Sequence, residues 1–404
     1  MAVRVAHVIP TVRIAYLMLR VRLAKLRDAG YEVTVICGRG PRAELEWRSF
    51  SEELRSMGLE VTQIPFAREI SPLTDMRCTA ALYRVIHRGR FDIVHSHNPK
   101  GGLLSPVAAR LSRSTLVLHT VHGFLFNENT AGLRHLAALS AERWTAAFCH
   151  HLLFQSEEDY DYAIRHRFKE ESRLHLIGNG IDETRFDPAR YPGAGRRTRS
   201  ALGWGEGDLV VGMVGRTVLE KGYAEFFEMA ARLARRLPTV RFLVVAISEP
   251  DQTDAVDPHR LIAENGLDGR CRVLEQRSDM PELYLAMDVA VLPSHREGIP
   301  RALMEAAAMG VPLVASDIRG CREVIEDGSS GRLFPLKDVD GLEAAVGELL
   351  ADHTARRAMG QAAKARVLAN YTESGTAQRL VTCYEEVLED RRRRGPRTMS
   401  RQAC

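Results

Sequence analysis

The chain alternates short apolar runs, rich in β-branched residues, with segments in which apolar residues recur every three or four positions. In the first half, the runs predict strands over residues 3–9, 32–37, 93–95, 116–120, 150–155 and 174–177. Runs of this kind separated by helical patterns are typical of a parallel sheet covered by helices on both faces. The first half therefore predicts a doubly wound α/β domain.

The alternation lapses over residues 182–207, which are charged and rich in Gly and Pro, and we interpret this stretch as a linker. Strands are predicted again over residues 209–214, 241–247, 271–274, 289–293 and 312–316, and helices over 339–350, 355–369 and 373–391. The pattern thus predicts an α/β protein with two doubly wound, Rossmann-like domains facing across a cleft. Ligands in such sheets bind beyond the carboxyl ends of the strands.

Composition and charge exclude several classes of protein. The 404 residues are 45% hydrophobic and 27% charged, with a formal net charge of +4, which excludes a disordered chain and does not favour a nucleic-acid partner. No apolar run approaches the roughly 20 residues of a membrane span, and charges and Pro10 interrupt the first 13 residues, so we expect no signal peptide and a cytoplasmic protein. The seven cysteines have no metal-ligand spacing, so we expect neither structural disulfides nor a metal site.

The most informative segment is 291–317, where a buried strand is predicted to run through a polar loop into a helix that begins near Pro300. Glu297 lies in the loop and Glu305 inside the helix. Free N–H groups at a helix start attract phosphate, and carboxylates there accept hydrogen bonds from ribose or hexose hydroxyls. The spacing leaves an alternative, in which Glu297 only caps the helix and Glu305 is an ordinary helical residue.

A second candidate lies where the strand predicted over 209–214 ends. Gly215 and Arg216 follow the strand, and Lys221 comes five residues later. Two cations at the carboxyl end of a strand suit a diphosphate, because Arg offers a planar fork and Lys a point charge. The alternative is that both are surface cations paired with Glu220 or Glu225.

Together the two segments resemble the signatures of the family 4 retaining glycosyltransferases, which have the GT-B fold. Glu297 and Glu305 stand at the Glu-x7-Glu positions, and the Gly-Arg-x4-Lys-Gly positions hold Gly215, Arg216, Lys221 and Gly222. The resemblance covers nearly the whole chain. The segments HNPKGG, HTVHGF, EGIPRALMEA and DIRGCRE are most similar to the bacterial branch that adds sugars to polyprenyl-diphosphate-linked oligosaccharides for surface polysaccharides and glycoproteins.

The resemblance implies four regions. An N-terminal acceptor-binding domain would cover residues 1–187, and a nucleotide-sugar-binding domain would cover 188–372. A helix over 373–391 would return to the N-terminal domain, and a flexible basic tail would follow over 392–404.

The resemblance also implies roles for single residues. Arg216 and Lys221 would hold the diphosphate and stabilise the leaving nucleotide without a metal or other cofactor. Glu305 would bind the ribose and Glu297 the donor hexose, and His122, singled out by its His-Gly motif, would reach across the cleft to that sugar. The remaining candidates are Gly215, Gly298, Ile299 and the neighbourhood of Arg277 on the donor side, and Thr11, Arg13 and His97 on the acceptor side.

The chain departs from the family pattern at three loops, each of which lacks a glycine that family members usually have there. Residues 10–16 lack the Gly-Gly pair that many members carry after the first strand, although the polyprenyl branch also tends to lack it. Ala246 and Ile247 stand where a glycine usually follows the strand, and residues 274–277 contain none. These differences bear on which donor is bound.

The opening helical pattern offers a membrane hypothesis. An apolar stripe is predicted at Ile14, Leu17, Met18, Val21 and Ala24, and the charge comes from Arg13, Arg20, Arg22, Lys25 and Arg27. A basic amphipathic helix of this kind would lie against anionic lipid, each cation adding about 1 kcal/mol. The alternative is an ordinary helix packed on its sheet with a solvated basic face.

The sequence therefore predicts a cytoplasmic, peripheral, metal-independent and retaining glycosyltransferase. It would move a hexose or N-acetylhexosamine from a nucleotide-diphosphate sugar, UDP being favoured, to a lipid-linked saccharide acceptor. Since no carboxylate of the N-terminal half stands out as a nucleophile, front-face attack with the leaving phosphate as base is the working mechanism. The alternatives are a small soluble acceptor such as an aminocyclitol, a non-catalytic GT-B scaffold that binds nucleotide sugars, and a sugar-nucleotide epimerase.

Overall fold

A computed structural model describes residues 2–39, 43–66, 71–112, 115–126, 130–247, 254–275 and 277–394. The first of its two parallel sheets has seven strands in the order β3-β2-β1-β4-β5-β6-β7. Its strands are β1 (Arg4–Thr11), β2 (Glu32–Gly38), β3 (Glu60–Gln63), β4 (Ile93–His97), β5 (Leu116–Val121), β6 (His151–Phe154) and β7 (Leu174–Leu176). The helices around it are α1 (Val12–Ile14), α2 (Arg20–Asp28), α3 (Ala43–Ser56), α4 (Pro72–Gly89), α5 (Asn98–Leu111), α6 (Gly132–Phe148) and α7 (Glu157–Arg165).

The second sheet has six strands in the order β10-β9-β8-β11-β12-β13. Its strands are β8 (Leu209–Arg216), β9 (Val240–Ile247), β10 (Cys271–Glu275), β11 (Val289–Leu292), β12 (Leu313–Ser316) and β13 (Gly331–Phe334). The helices that follow β7 are α8 (Ala194–Ala201), α9 (Tyr223–Arg236), α10 (Pro258–Glu264), α11 (Met280–Leu285), α12 (Arg301–Ala308), α13 (Cys321–Val324), α14 (Val339–Ala351), α15 (His353–Asn370) and α16 (Glu373–Arg394). The predicted architecture of two doubly wound, Rossmann-like domains is confirmed.

Each sheet reverses its strand order once, and the reversal places the candidate residues. In the first sheet β1 lies between β2 and β4, and in the second β8 lies between β9 and β11. Ligands of open parallel sheets bind outside the carboxyl ends of the strands at such a reversal. The last residues of β1 and β4 are Thr11 and His97, and the last residue of β8 is Arg216, so candidates from both halves lie at reversals.

The C-terminal helix returns to the first sheet, as the resemblance implied. Helix α16 packs on α2, and Leu380, Cys383, Tyr384 and Val387 are buried among the apolar side chains of β1, β2 and β4. The helix continues to Arg394, so residues 392–394 are helical where a tail was expected, and 395–404 lie outside the described residues. The domain boundaries stay predictions.

Three elements were not expected from the sequence. Strands β3 and β13 lie at sheet edges and are partly exposed, so they lack the continuous apolar run of a central strand. The stretch interpreted as a linker contains α8, which packs on α11. A Cβ at Gly195 would come within 2.3 Å of the Leu285 carbonyl oxygen, so a glycine allows this close approach.

The predicted faces of the first helix are wrong. It is interrupted by a π-helical turn over Ala15–Leu19, and the buried apolar set is Val12, Ala15, Leu19, Leu23 and Leu26. The stripe predicted to be apolar is half-buried, with Met18 38% exposed. Arg22, predicted on the solvated basic face, is 1% exposed. Two sets of apolar residues have helical spacing in this segment. The set that packs on the sheet is not the one that was predicted.

Among the described residues, no helix is both long enough and apolar enough to cross a bilayer. The six cysteines in the described part of the chain are buried as free thiols, and they pack as small apolar residues.

Candidate active site

The carboxyl ends of β8 and β11 bring the predicted cations and the loop carboxylate together. Lys221 Nζ lies 2.5 Å from Glu297 Oε1, and the side chains are 13% and 10% exposed. The Ser294 hydroxyl donates to the same oxygen at 2.7 Å. Glu297 thus binds Lys221 instead of capping α12, and the prediction that it lies in the loop before a helix carrying Glu305 is confirmed.

Three further charges surround this pair. Arg216 lies 2.9 Å from Glu220, and Arg296 contacts the other oxygen of Glu220 at 3.1 Å. Burial alone would raise the pKa of Glu220, but the two guanidinium groups outweigh it and lower that pKa. The alternative pairing of Arg216 with Glu220 is therefore present in the structure. The cluster gathers three cations at one switch point, where they offer electrostatic partners to a polyphosphate.

A glycine allows Lys221 to reach this position. Gly222 follows Lys221 with a φ of 74°, a left-handed conformation that is unfavourable for residues other than glycine. A Cβ there would also lie 2.0 Å from the Pro293 carbonyl oxygen. The backbone after β8 can therefore press against the backbone after β11, so that Lys221 meets Glu297.

The second carboxylate lies in its own pocket of polar groups. Glu305 accepts from Arg301 Nε at 3.1 Å through one oxygen and from the Tyr284 hydroxyl at 3.1 Å through the other. Tyr284 is fully buried, and burial with the neighbouring Glu305 raises the pKa of its hydroxyl well above the ordinary value. Each oxygen of Glu305 keeps a further lone pair, so the carboxylate can accept two ribose hydroxyls.

The two sheets meet at a contact between glycines. A Cβ at Gly298 would lie 2.2 Å from the His122 carbonyl oxygen, and one at Gly123 would lie 2.9 Å from Gly298 Cα. A Cβ at Gly320 would lie 1.5 Å from the Gly298 carbonyl oxygen. The predicted donor residues Gly298 and His122 are therefore brought together through their backbones.

Side chains reinforce this contact around residues 123–126. Arg319 forms an ion pair with buried Asp159 and donates to the Phe126 carbonyl at 3.0 Å, while Asp159 accepts from the Phe124 amide at 3.3 Å. Nearby, Arg322 binds Glu158 at 3.0 Å. The segment DIRGCRE thus links the second sheet to the start of α7.

His97 is buried and His122 is half-buried, and their rings contact each other. His97 is 1% exposed and both of its ring nitrogens have partners, His7 at 3.0 Å and His122 at 3.1 Å. The other nitrogen of His122 contacts Gln155 at 3.1 Å. Burial lowers the pKa of His122 to about 4, so the ring is neutral at pH 7. The donor and acceptor roles of these two rings stay predictions.

The remaining candidates lie at the edges of the site. Thr11 caps α1 by accepting from the Ile14 amide at 3.3 Å, so β1 enters a helix without a glycine loop, and Arg13 in that helix is half-buried. Arg277 forms a bidentate pair with Asp279, and Ile299 is buried. Ile247 ends β9, and residues 248–253 and 276 lie outside the described residues.

Sequence reasoning missed the partners that hold the site together. Ser294, Arg296, Arg301 and Tyr284 each bind a residue that was singled out or its neighbour. One local signal was available, since Arg301 stands four residues before Glu305, the spacing of a helical ion pair. Ser294 also lies near its partner, three residues before Glu297, whereas Arg296 and Tyr284 bind residues that are distant in the chain.

Two family models match the chain. Residues 196–366 match "Glycosyl transferases group 1" and residues 21–185 match "Glycosyltransferase Family 4". An Escherichia coli UDP-Gal:alpha-D-GlcNAc-diphosphoundecaprenol alpha-1,3-galactosyltransferase is 32% identical over 275 residues, which are 68% of this chain and 70% of that protein.

Two further relatives differ in acceptor. A Campylobacter jejuni N,N'-diacetylbacillosaminyl-diphospho-undecaprenol alpha-1,3-N-acetylgalactosaminyltransferase is 26% identical over 374 residues, 90% of this chain and 94% of that protein. A Nocardia farcinica D-inositol 3-phosphate glycosyltransferase is 27% identical over 310 residues, 74% of this chain and 67% of that protein.

Solved structures share the fold over almost the full length. Sucrose-phosphate synthase from Thermosynechococcus elongatus superposes with a TM-score of 0.81 at 19% identity, covering 96% of this chain and all of that one. HepE from Anabaena, in complex with UDP and glucose, gives 0.77 at 20% identity, covering 94% and 99%. With the family models and the Escherichia coli relative, these matches establish that the chain is a glycosyltransferase of GT-B fold and belongs to family 4.

Proposed function

We propose that the protein is a retaining, metal-independent glycosyltransferase that moves a hexose or N-acetylhexosamine from a UDP-sugar to a polyprenyl-diphosphate-linked saccharide. The observation that carries the proposal is the cluster of Lys221, Arg216 and Arg296 with Glu297, beside the contact of Gly298 with His122. The site contains cations for a diphosphate and a carboxylate for a sugar at the interface of the two sheets.

Donor binding is proposed to make the cations of this cluster exchange partners. An incoming diphosphate would take Lys221 and Arg216 from Glu297 and Glu220, and Glu297 would then accept hydrogen bonds from the sugar. Fixed cations of this kind stabilise the charge that develops as UDP leaves. The leaving phosphate would serve as the base for front-face attack, which retains the configuration of the sugar. The choice of UDP rests on the UDP-sugar named for the Escherichia coli relative and on the UDP bound in the HepE complex.

The acceptor class is proposed from two relatives whose names specify diphosphoundecaprenol-linked substrates. The Nocardia relative, named for D-inositol 3-phosphate, favours a second candidate, in which the same chemistry acts on a small soluble polyol. Parallel assays with detergent-solubilised lipid-linked acceptors and with soluble polyols separate the two. The anomeric configuration of the product, read by NMR, tests retention.

Replacing Glu305 with glutamine should weaken UDP binding by about tenfold, because an amide cannot accept two ribose hydroxyls as well as a carboxylate does. The measurement is calorimetric titration with UDP and a panel of nucleotide sugars, with EDTA present. Glu264→Gln, in an exposed ion pair with Arg260, is the control and should bind like the wild type. Equal binding by the Glu305 variant would remove this residue from the ribose site. An EDTA-sensitive titration or turnover would contradict metal independence, and failure to bind any nucleotide sugar would contradict the donor proposal.

We further propose that the enzyme works at the cytoplasmic face of a membrane, and that helices α4, α5 and α6 contact the lipid. The three helices form one layer, and large apolar side chains project from it into solvent. These are Leu73 (73% exposed), Met76 (69%), Leu111 (62%), Leu133 (84%), Leu136 (58%) and Trp144 (52%).

The exposed charged side chains of the same three helices all carry positive charge. Among the described side chains of the three helices, the exposed ones with a full charge are all arginines: Arg77, Arg84, Arg88, Arg110, Arg134 and Arg143. The two acids are not fully exposed, since Asp75 pairs with Lys100 and Glu142 is buried. Apolar side chains among cations fit an anionic lipid surface, which adds about 1 kcal/mol per cation.

The double variant Leu133→Ser/Leu136→Ser should lower binding to anionic vesicles by at least tenfold, because burying one leucine is worth about 1.5–3 kcal/mol. Co-sedimentation with vesicles of phosphatidylcholine and phosphatidylglycerol measures the effect. Leu368→Ser on α15, which is 36% exposed, is the matched control. Binding that the double variant retains in full, or that is equal on pure phosphatidylcholine, would contradict this surface.

A further inference from the structure

A continuous hydrogen-bonded chain of buried and half-buried side chains links Tyr384 of the returning helix to His122, and it ends at Thr120 and Gln155. It passes in order through Thr120, His95, Tyr384, His7, His97, His122 and Gln155. The successive distances are 2.6, 2.6, 3.2, 3.0, 3.1 and 3.1 Å. Strands β1, β4 and β5 and helix α16 all contribute, so the chain joins the N-terminal sheet to the C-terminal helix.

The four imidazoles of this chain are neutral at pH 7. Burial lowers the pKa of His7 to about 3 and that of His122 to about 4. Burial, with the neighbouring rings, lowers the pKa of His95 and His97 well below the ordinary value. A neutral imidazole has one N–H donor and one acceptor nitrogen. Each imidazole therefore donates on one side and accepts on the other, so the direction of one bond fixes the direction through all the directly linked rings.

An arginine fixes that direction. Arg22 can only donate, and its Nη2 lies 3.5 Å from Asn179 Oδ1, which also accepts from the Gly180 amide at 3.0 Å. The atom facing Gln155 is thus an acceptor, and Gln155 donates to it through Nε2 at 3.3 Å. Gln155 Oε1 is left facing His122, so His122 must donate to it from Nδ1.

The remaining protons then have one arrangement. His122 Nε2 accepts from His97 Nδ1, His97 Nε2 accepts from His7 Nδ1, and His7 Nε2 accepts from the Tyr384 hydroxyl. His95 donates to Tyr384 from Nδ1 and accepts from Thr120 through Nε2. Each polar atom facing along the chain has a partner, which is what buried polar groups require.

The same rings suggest a metal site, because ligand atoms of His7, His95 and His97 lie within 4.8 Å of one another. A metal would need three lone pairs directed at one point. The facing nitrogens of His7 and His97 share a hydrogen bond, and the facing nitrogen of His95 donates to Tyr384. The hydrogen-bonded chain uses these atoms fully, so it is the arrangement that the distances favour.

We propose that Gln155 is a positioning residue that, oriented by Asn179 and Arg22, holds the His122 ring as the Nδ1–H tautomer beneath the donor site. The ring is then fixed between Gln155 and His97, and the His122 carbonyl is fixed against Gly298. The kinetic consequence rests on the proposed function, because it requires this backbone contact to be part of the working site. The tautomer itself does not depend on that function.

The direct test is to determine the tautomer of His122 from the 15N NMR spectra of the imidazole nitrogens in the full chain. The His122 signals are identified by their loss in the His122→Gln variant. The wild type should show a protonated Nδ1 and a bare Nε2. Gln155→Met removes the acceptor while keeping the volume, so both directions of the chain become permitted and a second tautomer should appear. Gln155→Glu, which still accepts from Nδ1, should retain the wild-type tautomer.

Tyr384→Phe supplies the matched control for direction. It cuts the chain between His95 and His7 but leaves the part fixed by Gln155, so His122 should keep its tautomer. A wild-type Nε2–H tautomer, or one unchanged by Gln155→Met, would overturn the proposal. So would one stoichiometric zinc in the purified protein that is lost in His7→Gln.

Kinetics separate this role from a general loss of packing. Gln155→Met should lower kcat by about tenfold while the donor KM changes by less than about twofold, and Gln155→Glu should recover part of the loss. Wild-type protein that transfers no sugar would refute the proposed function and leave the spectra to decide the tautomer. Active protein with the wrong tautomer would refute only this inference.

Discussion

Replacing Lys221 with alanine is expected to lower kcat by about 100- to 1,000-fold, the usual cost of removing one preorganised group that stabilises developing charge. Lys221 is the cation closest to Glu297, at 2.5 Å, and it lies on a backbone that Gly222 holds against Pro293. The leaving diphosphate would lose a fixed positive charge that solvent cannot replace in a largely enclosed site. Steady-state turnover of the donor sugar, with and without acceptor, measures the loss.

The stability of this variant should change little, because Glu297 keeps the Ser294 hydroxyl as a partner at 2.7 Å. Lys364→Ala, a half-buried lysine on α15, is the control and should keep full activity. Turnover of Lys221→Ala within tenfold of the wild type would show that Arg216 and Arg296 suffice for the diphosphate. A large drop in melting temperature would instead mean that Lys221 holds the fold.

The sheets were predictable because most of their strands are buried on both faces. The sequence of β11, Val-Ala-Val-Leu, is an unbroken apolar run, and such runs carry the signal from which parallel sheets are inferred. Strand β13 begins with Gly331 and Arg332 at a sheet edge, and β3 has exposed Glu60 and Gln63. These two strands have no apolar run, so only the folded sheet reveals them, whereas the edge strands β7 and β10 keep enough apolar residues to be predicted.

The residues of the candidate site also fall into a group that the sequence predicts and a group that it does not. Glu297 and Glu305 were identifiable because a local motif fixes their spacing between β11 and α12, and Lys221 because a second motif fixes its position after β8. Other contacts of the site join different units: Tyr284 approaches Glu305 from α11, and Arg296 binds Glu220, which follows β8. Contacts between segments far apart in the chain depend on packing, which spacing does not encode.

His122 gives a sharper case. The His-Gly motif drew attention to its ring, yet the ring is hydrogen-bonded to His97 and Gln155, and the part that meets the second sheet is its carbonyl beside Gly298. A motif identifies a residue whose position matters without saying whether its side chain or its backbone makes the contact. The neighbouring glycine was the better indicator, since glycines mark close approaches of backbones.

Arg22 and Glu373 lead to the other large expected effect, on stability. Their side chains are each 2% exposed, and two contacts of 3.3 and 3.4 Å join the guanidinium to the carboxylate. The pair joins α2 to the first residue of α16, so it fastens the returning helix where it reaches the N-terminal sheet. Glu373→Ala should lower the free energy of unfolding by about 3–5 kcal/mol, because it leaves a buried cation without a countercharge.

A matched control lies on the same helix. Glu389 and Arg393 form an exposed ion pair, with side chains 62% and 80% exposed, and Glu389→Ala should change stability by less than about 0.5 kcal/mol. Urea unfolding followed by circular dichroism compares the two. The double variant Arg22→Met/Glu373→Leu should recover most of the loss, because apolar side chains of similar volume replace a buried pair without its desolvation cost. Equal losses for Glu373→Ala and Glu389→Ala would mean that the apolar residues of α16, not this ion pair, hold the helix to the first sheet.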